Sequence, residues 1–221
     1  MNKPKHIGAV IFDLDGTLVR YQGVEFESSW GAIGAAAGVK GEWDRLLTQY
    51  FPRPDAYAEW MSQNARLLAG VPVEQVAKKI LPPPYATGVR EAIYKLRKHY
   101  LLGILSSGVD LVAEYVRKDL GFKFAVANRL LVHDGSFTGE TETIVHLWKK
   151  ADVMRQTVLR IGLPLSEICY VGDHVNDIPV MDLVGLSIAF NPKAAELEEV
   201  ADYVTRSFAD IPMLVEEWQR A

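Results

Sequence analysis

The chain has a single cysteine, Cys169, among 221 residues, so no internal disulfide is possible. Its place in the apolar run Ile168 to Val171 marks a buried thiol that packs the core. No apolar run approaches the length of a membrane span. Met1 to His6 is followed by only six apolar or small residues ending at Asp13, too short and wrongly bounded for a signal peptide, and a cytoplasmic location is the expectation. An excess of positive charge is lacking too: 24 Lys and Arg face 28 Asp and Glu, a net charge of -4, which argues against nucleic-acid and membrane-surface partners. There is no internal repeat and no low-complexity tract. What remains, 49% hydrophobic and 24% charged, is one soluble globular unit, long enough for a large domain with a smaller insert.

Short apolar runs alternate with amphipathic segments. Ile7 to Phe12, Leu101 to Leu105, Phe124 to Ala127, Ile168 to Val171 and Leu186 to Phe190 read as strands. Gly88 to His99, Leu111 to Leu120 and Ala151 to Ile161 read as the helices between them. The pattern predicts an α/β fold, a doubly wound and mostly parallel sheet with a Rossmann-like core. His133-Asp134-Gly135 interrupts it with a hairpin signal, so an antiparallel ribbon extends one sheet edge. Between Arg20 and Pro84 only helical patterns occur: Phe26 to Ala37, Glu42 to Tyr50, Ala56 to Leu68 and Val73 to Ile80. Residues 1–20 and 84–221 are therefore read as the core, and 21–83 as a helical cap inserted after the first strand. Tyr21-Gln22-Gly23 is a flexible junction, and Pro82-Pro83-Pro84 reads as a stiff polyproline strut.

Four motifs follow strand ends. Asp13-Leu14-Asp15-Gly16-Thr17 sets two carboxylates on one side of an exit turn, which suits a nucleophile beside a proton donor. Leu105-Ser106-Ser107-Gly108 offers hydroxyls and main-chain N–H groups at a helix start, an arrangement that binds phosphate. Lys149 and Lys150 open the next helix, and one of them suits the charge of a phosphate and a nucleophilic carboxylate. Gly172-Asp173-His174-Val175-Asn176-Asp177 completes an oxygen set: Asp13, Asp173 and the main-chain carbonyl of Asp15 predict Mg2+ as cofactor. Asp177 would fix waters or Lys150, with Asn176 orienting groups around it. His174 has no evident partner and reads as a loop residue.

These motifs in this order resemble the haloacid dehalogenase-like hydrolases over essentially the whole chain. Ala127-Asn128-Arg129-Leu130, Asp134 to Gly139, Val171 to Asp177, Gly185-Leu186 and Ile188 to Asn191 resemble the phosphoserine phosphatase group most. The resemblance implies Asp13 as nucleophile, Asp15 as general acid and base, Ser106 as the phosphate-binding serine and Lys150 as the motif lysine. It implies a Mg2+-dependent phosphatase acting on a small-molecule phosphomonoester through a phosphoaspartate, as a monomer or homodimer. Asp15 favours fast hydrolysis, since an acid two residues past the nucleophile serves both the leaving alkoxide and the attacking water. Alternatives are a phosphotransferase or mutase using the same intermediate and, from another class, a non-catalytic binding module.

The cap departs from that group. Gln22 and Asn64 stand where the phosphoserine enzymes place a glutamate and an arginine, so both are substrate-binding candidates together with Ser106, Ser107, Gly108 and Lys150. Their neutrality turns the expectation towards a substrate other than phosphoserine, with Glu25 or Arg66 as possible substitutes. Tyr21, Trp30, Trp43, Tyr50, Phe51, Tyr57 and Trp60 are read first as packing of the cap and second as a pocket for a ring-bearing or apolar leaving group. Arg53, between prolines, reads as solvent-exposed.

Overall fold

A computed structural model describes residues 6–220. Met1 to Lys5, part of the stretch read against a leader, lie outside the described residues. β1 (Ala9–Phe12) is followed by α1 (Ser29–Ala37), α2 (Lys40–Tyr50), α3 (Tyr57–Arg66) and α4 (Val73–Ile80), with no strand among them. Then come α5 (Val89–Leu96), β2 (Leu101–Val109), α6 (Asp110–Leu120), β3 (Phe124–His133) and β4 (Ser136–Glu142). α7 (Lys150–Ile161), β5 (Ile168–Gly172), α8 (Ile178–Met181), β6 (Leu186–Phe190), α9 (Ala195–Val200), β7 (Tyr203–Thr205) and α10 (Ile211–Arg220) complete the chain.

The seven strands form one sheet in the order β4-β3-β2-β1-β5-β6-β7, parallel except for β4. β1, β5 and β6 are buried at every position, which is why they read as continuous apolar runs. One apolar cluster on one face of the sheet takes Phe12 and Ile104 and runs on into Trp30, Ile33 and Met61 of the inserted helices. A second, built on Ile11, Leu105 and Tyr170, packs Met154 and Val158 of α7 against the opposite face. Because β1 pairs with β2 on one side and β5 on the other, the chain winds both ways from it. The carboxyl end of β1 is thus the switch point of the sheet, where open α/β folds bind ligands.

Several local expectations change. Phe26 does not continue into α1: Glu25–Glu27 is a separate 3-10 turn in which Phe26 and Glu27 adopt left-handed backbone, φ 56° and 51°. α1 starts afresh at Ser29, capped by the Ser28 side chain, which accepts from the Gly31 N–H. The Leu81–Pro82 peptide that leads into Pro82-Pro83-Pro84 is cis. Arg20 N–H donates to the Pro84 carbonyl at 2.8 Å, so the two junctions pair with each other. β7 was not anticipated; three residues on the sheet edge leave little pattern to read.

The predicted ribbon forms, with Asp134 and Gly135 at its turn. It also reaches the inserted helices. Gly70 N–H donates to Phe137 O, Phe137 N–H to Val71 O and Val73 N–H to Gly135 O, at 2.8 to 3.0 Å. Cys169 is buried, and no helix among the described residues is long and apolar enough to cross a membrane.

Candidate active site

The turn after β1 places Asp13 at the floor of a cavity of about 400 Å3 that lies between the sheet's switch point and the inserted helices. Asp13 Oδ1 accepts from the Leu14 N–H at 2.7 Å, and Oδ2 lies 3.1 Å from Lys150 Nζ. Lys150, fully buried at the start of α7, also meets Asp177 Oδ1 at 2.6 Å. Burial alone would discharge the lysine, but Asp13 and Asp177 outweigh it and hold the ammonium charged. Burial likewise pushes the Asp13 carboxyl up, and Lys150 and a hydrogen bond from Ser106 oppose that. The ammonium thus stays charged against a carboxyl that burial holds above its ordinary value.

Asp15 leans into the same cavity and is held from across it. Ser29, the first residue of α1, gives its main-chain N–H to Oδ1 at 2.8 Å and its hydroxyl to Oδ2 at 2.7 Å. Burial pushes this carboxyl up to about 7 against those two bonds. It can therefore carry a proton near neutrality. Gly108 makes the fit possible: a Cβ there would lie 2.6 Å from Asp15 Oδ2.

Asp173 follows β5. Its Oδ1 accepts from Thr17 Oγ1 at 2.9 Å, while Gly16, at φ 81°, leaves Oδ2 room that a side chain at that position would take. Burial, together with the nearby Asp13 and Asp177, pushes the Asp173 carboxyl far up. Asp13, Asp173 and Asp177 bring carboxylate oxygens within 4.8 Å of one another. Asp177 is already saturated: Lys150 and Tyr170 donate to Oδ1, and the N–H groups of Asp173 and His174 donate to Oδ2. Asp13 and Asp173 keep acceptor capacity. With all three ionised, the carboxylates exceed the one ammonium by two negative charges, which a divalent cation would match.

Ser106 and Ser107 lie in the last part of β2 at the cavity wall, and Ser106 Oγ accepts from the Gly108 N–H at 3.0 Å. The Ser107 carbonyl is gripped by Trp30 Nε1 at 2.9 Å and Asn128 Nδ2 at 2.9 Å. Asn128, which the sequence reading used only as a family likeness, also accepts from the N–H groups of Ile144 and Val145 and so ties this loop to the chain leading into α7. Ser29 was missed altogether, because nothing local to it announces a contact with Asp15. His174 does have partners: Nδ1 lies 3.0 Å from Asn176 Oδ1, and its ring meets Phe26 edge-on at the cavity rim.

The structure brings Asp13, Asp15, Ser106, Ser107, Asp173, Asn176 and Asn64 to the cavity lining. Gly108, Lys150 and Asp177 lie behind it as supports. Gln22, against expectation, falls outside the lining: it is exposed and its side-chain amide donates to Glu27, while Glu25 lines the cavity. Arg66 is exposed and outside the lining. Trp30, Trp43, Phe51, Tyr57 and Trp60 line the walls while also packing the helices, so both readings of these rings hold; Tyr21 and Tyr50 only pack. Arg53 is exposed, as expected, and lies over the Tyr50 ring.

Residues 10–182 match the family model described as haloacid dehalogenase-like hydrolase. The chain is 30% identical over 204 residues to a phosphoserine phosphatase of Methanocaldococcus jannaschii, covering 91% of this chain and 92% of that protein. It is 29% identical over 203 residues to one of Lactococcus lactis, covering 90% of each. A solved structure described as a phospho-aspartyl intermediate analogue of phosphoserine phosphatase superposes with a TM-score of 0.76 at 28% identity, covering 96% of this chain and 99% of that one.

Proposed function

The chain belongs to the haloacid dehalogenase-like hydrolases and is a phosphoric monoester hydrolase, and from that premise we propose that it cleaves phosphoserine or a close small phosphomonoester through a phosphoaspartate on Asp13. One observation carries the chemistry: Asp13, fixed by a buried lysine, shares a cavity floor with Asp15, whose carboxyl can be protonated near neutrality.

In the first displacement an Asp13 oxygen attacks phosphorus, the bond to the substrate alkoxide breaks, and Asp15 delivers its proton to the departing oxygen. In the second, Asp15 as carboxylate takes a proton from water, the water oxygen attacks phosphorus, and the acyl-phosphate bond breaks. Asp13 is restored and inorganic phosphate leaves. Lys150 opposes the burial that pushes the Asp13 carboxyl up and so favours its ionised form, and Ser106 on the cavity wall binds a phosphoryl oxygen. Asp13, Asp173 and the Asp15 carbonyl would hold Mg2+, which when bound neutralises charge on the transferring group.

For the substrate, the relatives favour phosphoserine, against the expectation drawn from Gln22 and Asn64. Glu25 supports them. Its side chain lines the cavity with no hydrogen bond or ion pair among the described residues, a carboxylate placed to meet the substrate ammonium. The test is hydrolysis of p-nitrophenyl phosphate and phosphoserine with Mg2+, with and without EDTA, and in Asp13→Asn. Release of phosphate that EDTA and the substitution both abolish is expected; folded protein with no turnover of either ester would overturn the reading.

A further inference from the structure

Among the described residues, three buried side-chain polar atoms have no hydrogen-bond partner: Trp60 Nε1, Asn64 Nδ2 and Asn64 Oδ1. All three belong to one face of α3. Tyr57, Trp60, Met61 and Asn64 recur at helical spacing, and all four line the cavity. Asn64 is 0% exposed and Trp60 8%. A buried amide left unpaired is costly, so such groups are retained where something else pairs them. Trp30 offers the contrast: its indole N–H is spent on the Ser107 carbonyl, whereas that of Trp60 has no protein acceptor.

We infer that Trp60 and Asn64 grip the end of the leaving group remote from phosphorus by uncharged hydrogen bonds, so that a carboxamide or hydroxyl is accepted there about as well as a carboxylate. The inference rests on the phosphatase reading and specifies its selectivity. Two donors and one acceptor carry no net charge. The one cation in the lining, Lys193, is bound by Glu27 at 2.7 Å, and Arg66 is turned to solvent. A substrate carboxylate would thus find hydrogen-bond donors but no ion partner, and replacing it with an isosteric amide would sacrifice no ion pair. The grip is also rigid: the Trp60 ring is set edge-to-face against Phe51 and Tyr57, with centroids 6.4 and 6.0 Å away.

The experiment compares phosphoserine with its carboxamide, O-phosphoserinamide, in the native chain and in Trp60→Phe, Asn64→Leu and Asn64→Arg, each checked for folding by thermal melting. Native kcat/KM for the two esters should agree within about 5-fold. Trp60→Phe, which keeps the ring and removes the N–H, and Asn64→Leu should each raise KM about 10-fold for both esters with kcat changed far less. Asn64→Arg should swing the ratio towards the carboxylate by about 10-fold or more. A native preference for the carboxylate of about 100-fold, or unchanged KM in both folded variants, would overturn the inference. So would p-nitrophenyl phosphate turnover with neither serine ester cleaved, an outcome that leaves the phosphatase reading standing; loss of p-nitrophenyl phosphate turnover as well would overturn both.

Discussion

Both carboxylate oxygens of Asp15 are held by Ser29, one through its main-chain N–H and one through its hydroxyl, although the two residues belong to the sheet's exit turn and to the first inserted helix. The proposed proton donor is therefore aimed by the part of the molecule that covers the cavity. The Ser29 hydroxyl in turn accepts from the Val109 N–H at 3.1 Å, which fixes its rotor.

Ser29→Ala removes one of these anchors and leaves the main-chain bond. We expect kcat on p-nitrophenyl phosphate to fall about 10- to 100-fold, with KM changed far less, because a misaimed acid fails in the transition state and not in binding. Steady-state kinetics decide the point. A raised KM at unchanged kcat would assign Ser29 to substrate binding instead.

Beside its proposed catalytic role, Lys150 is a stability element. It sits between two buried carboxylates, and Lys150→Met would leave Asp13 and Asp177 facing each other without their cation. Removing one partner of such a buried set costs about 3 to 5 kcal/mol. Urea unfolding at neutral pH should register that loss. A midpoint unchanged from the native chain would mean that the carboxylates find another counter-charge.

Glu27 joins the junction to the core, with Arg20 Nε at 3.0 Å and Lys193 Nζ at 2.7 Å. Burial pushes its carboxyl up, but the bonds from Arg20 and Lys193 outweigh that and hold it below its ordinary 4.5. A depressed carboxyl contributes stability that is complete above 4.5 and lost as pH falls through the lower folded value. Both cations are partly exposed, which limits the contribution to about 1 kcal/mol. The difference in urea midpoint between the native chain and Glu27→Gln should be present at neutral pH and vanish in strong acid. A difference that grows on acidification would contradict the sign.

Mg2+ should raise the thermal midpoint in a concentration-dependent way, since a ligand that binds only the folded state stabilises it. Asp173→Asn should abolish the shift, because Asp173 is one of the two carboxylates with lone pairs to spare. Differential scanning calorimetry with and without EDTA tests this directly. An undiminished shift in the variant would move the cation elsewhere.

Much of this was legible beforehand. Asp13, Asp15, Ser106 and Asp173 sit at or near strand ends and Lys150 at a helix start, and strands buried on both faces announce themselves as apolar runs, so motif and scaffold could be read together. What escaped was decided across the chain. Ser29 acts on a residue fourteen positions earlier, through a helix start that any serine could make. Gln22 falls outside the lining where Gly23, Phe26 and Glu27 all take left-handed backbone, and of the three only the glycine is a turn signal in composition. His174 found Asn176 and Phe26 only once the rim was assembled.

The ribbon that carries Gly135 and Phe137 bears on how molecules come and go. It fastens Gly70, Val71 and Val73 by main-chain bonds, while Arg20 and Pro84 fasten the opposite side. A swing of the four helices as one hinged slab would have to unzip one of these seams, each bond contributing about 0.5 to 1.5 kcal/mol. Phe26, 44% exposed, lies between Phe51 and His174 on the cavity lining, clear of both seams, so a change of its rotamer would alter the lining without breaking a main-chain bond of this doubly stitched roof.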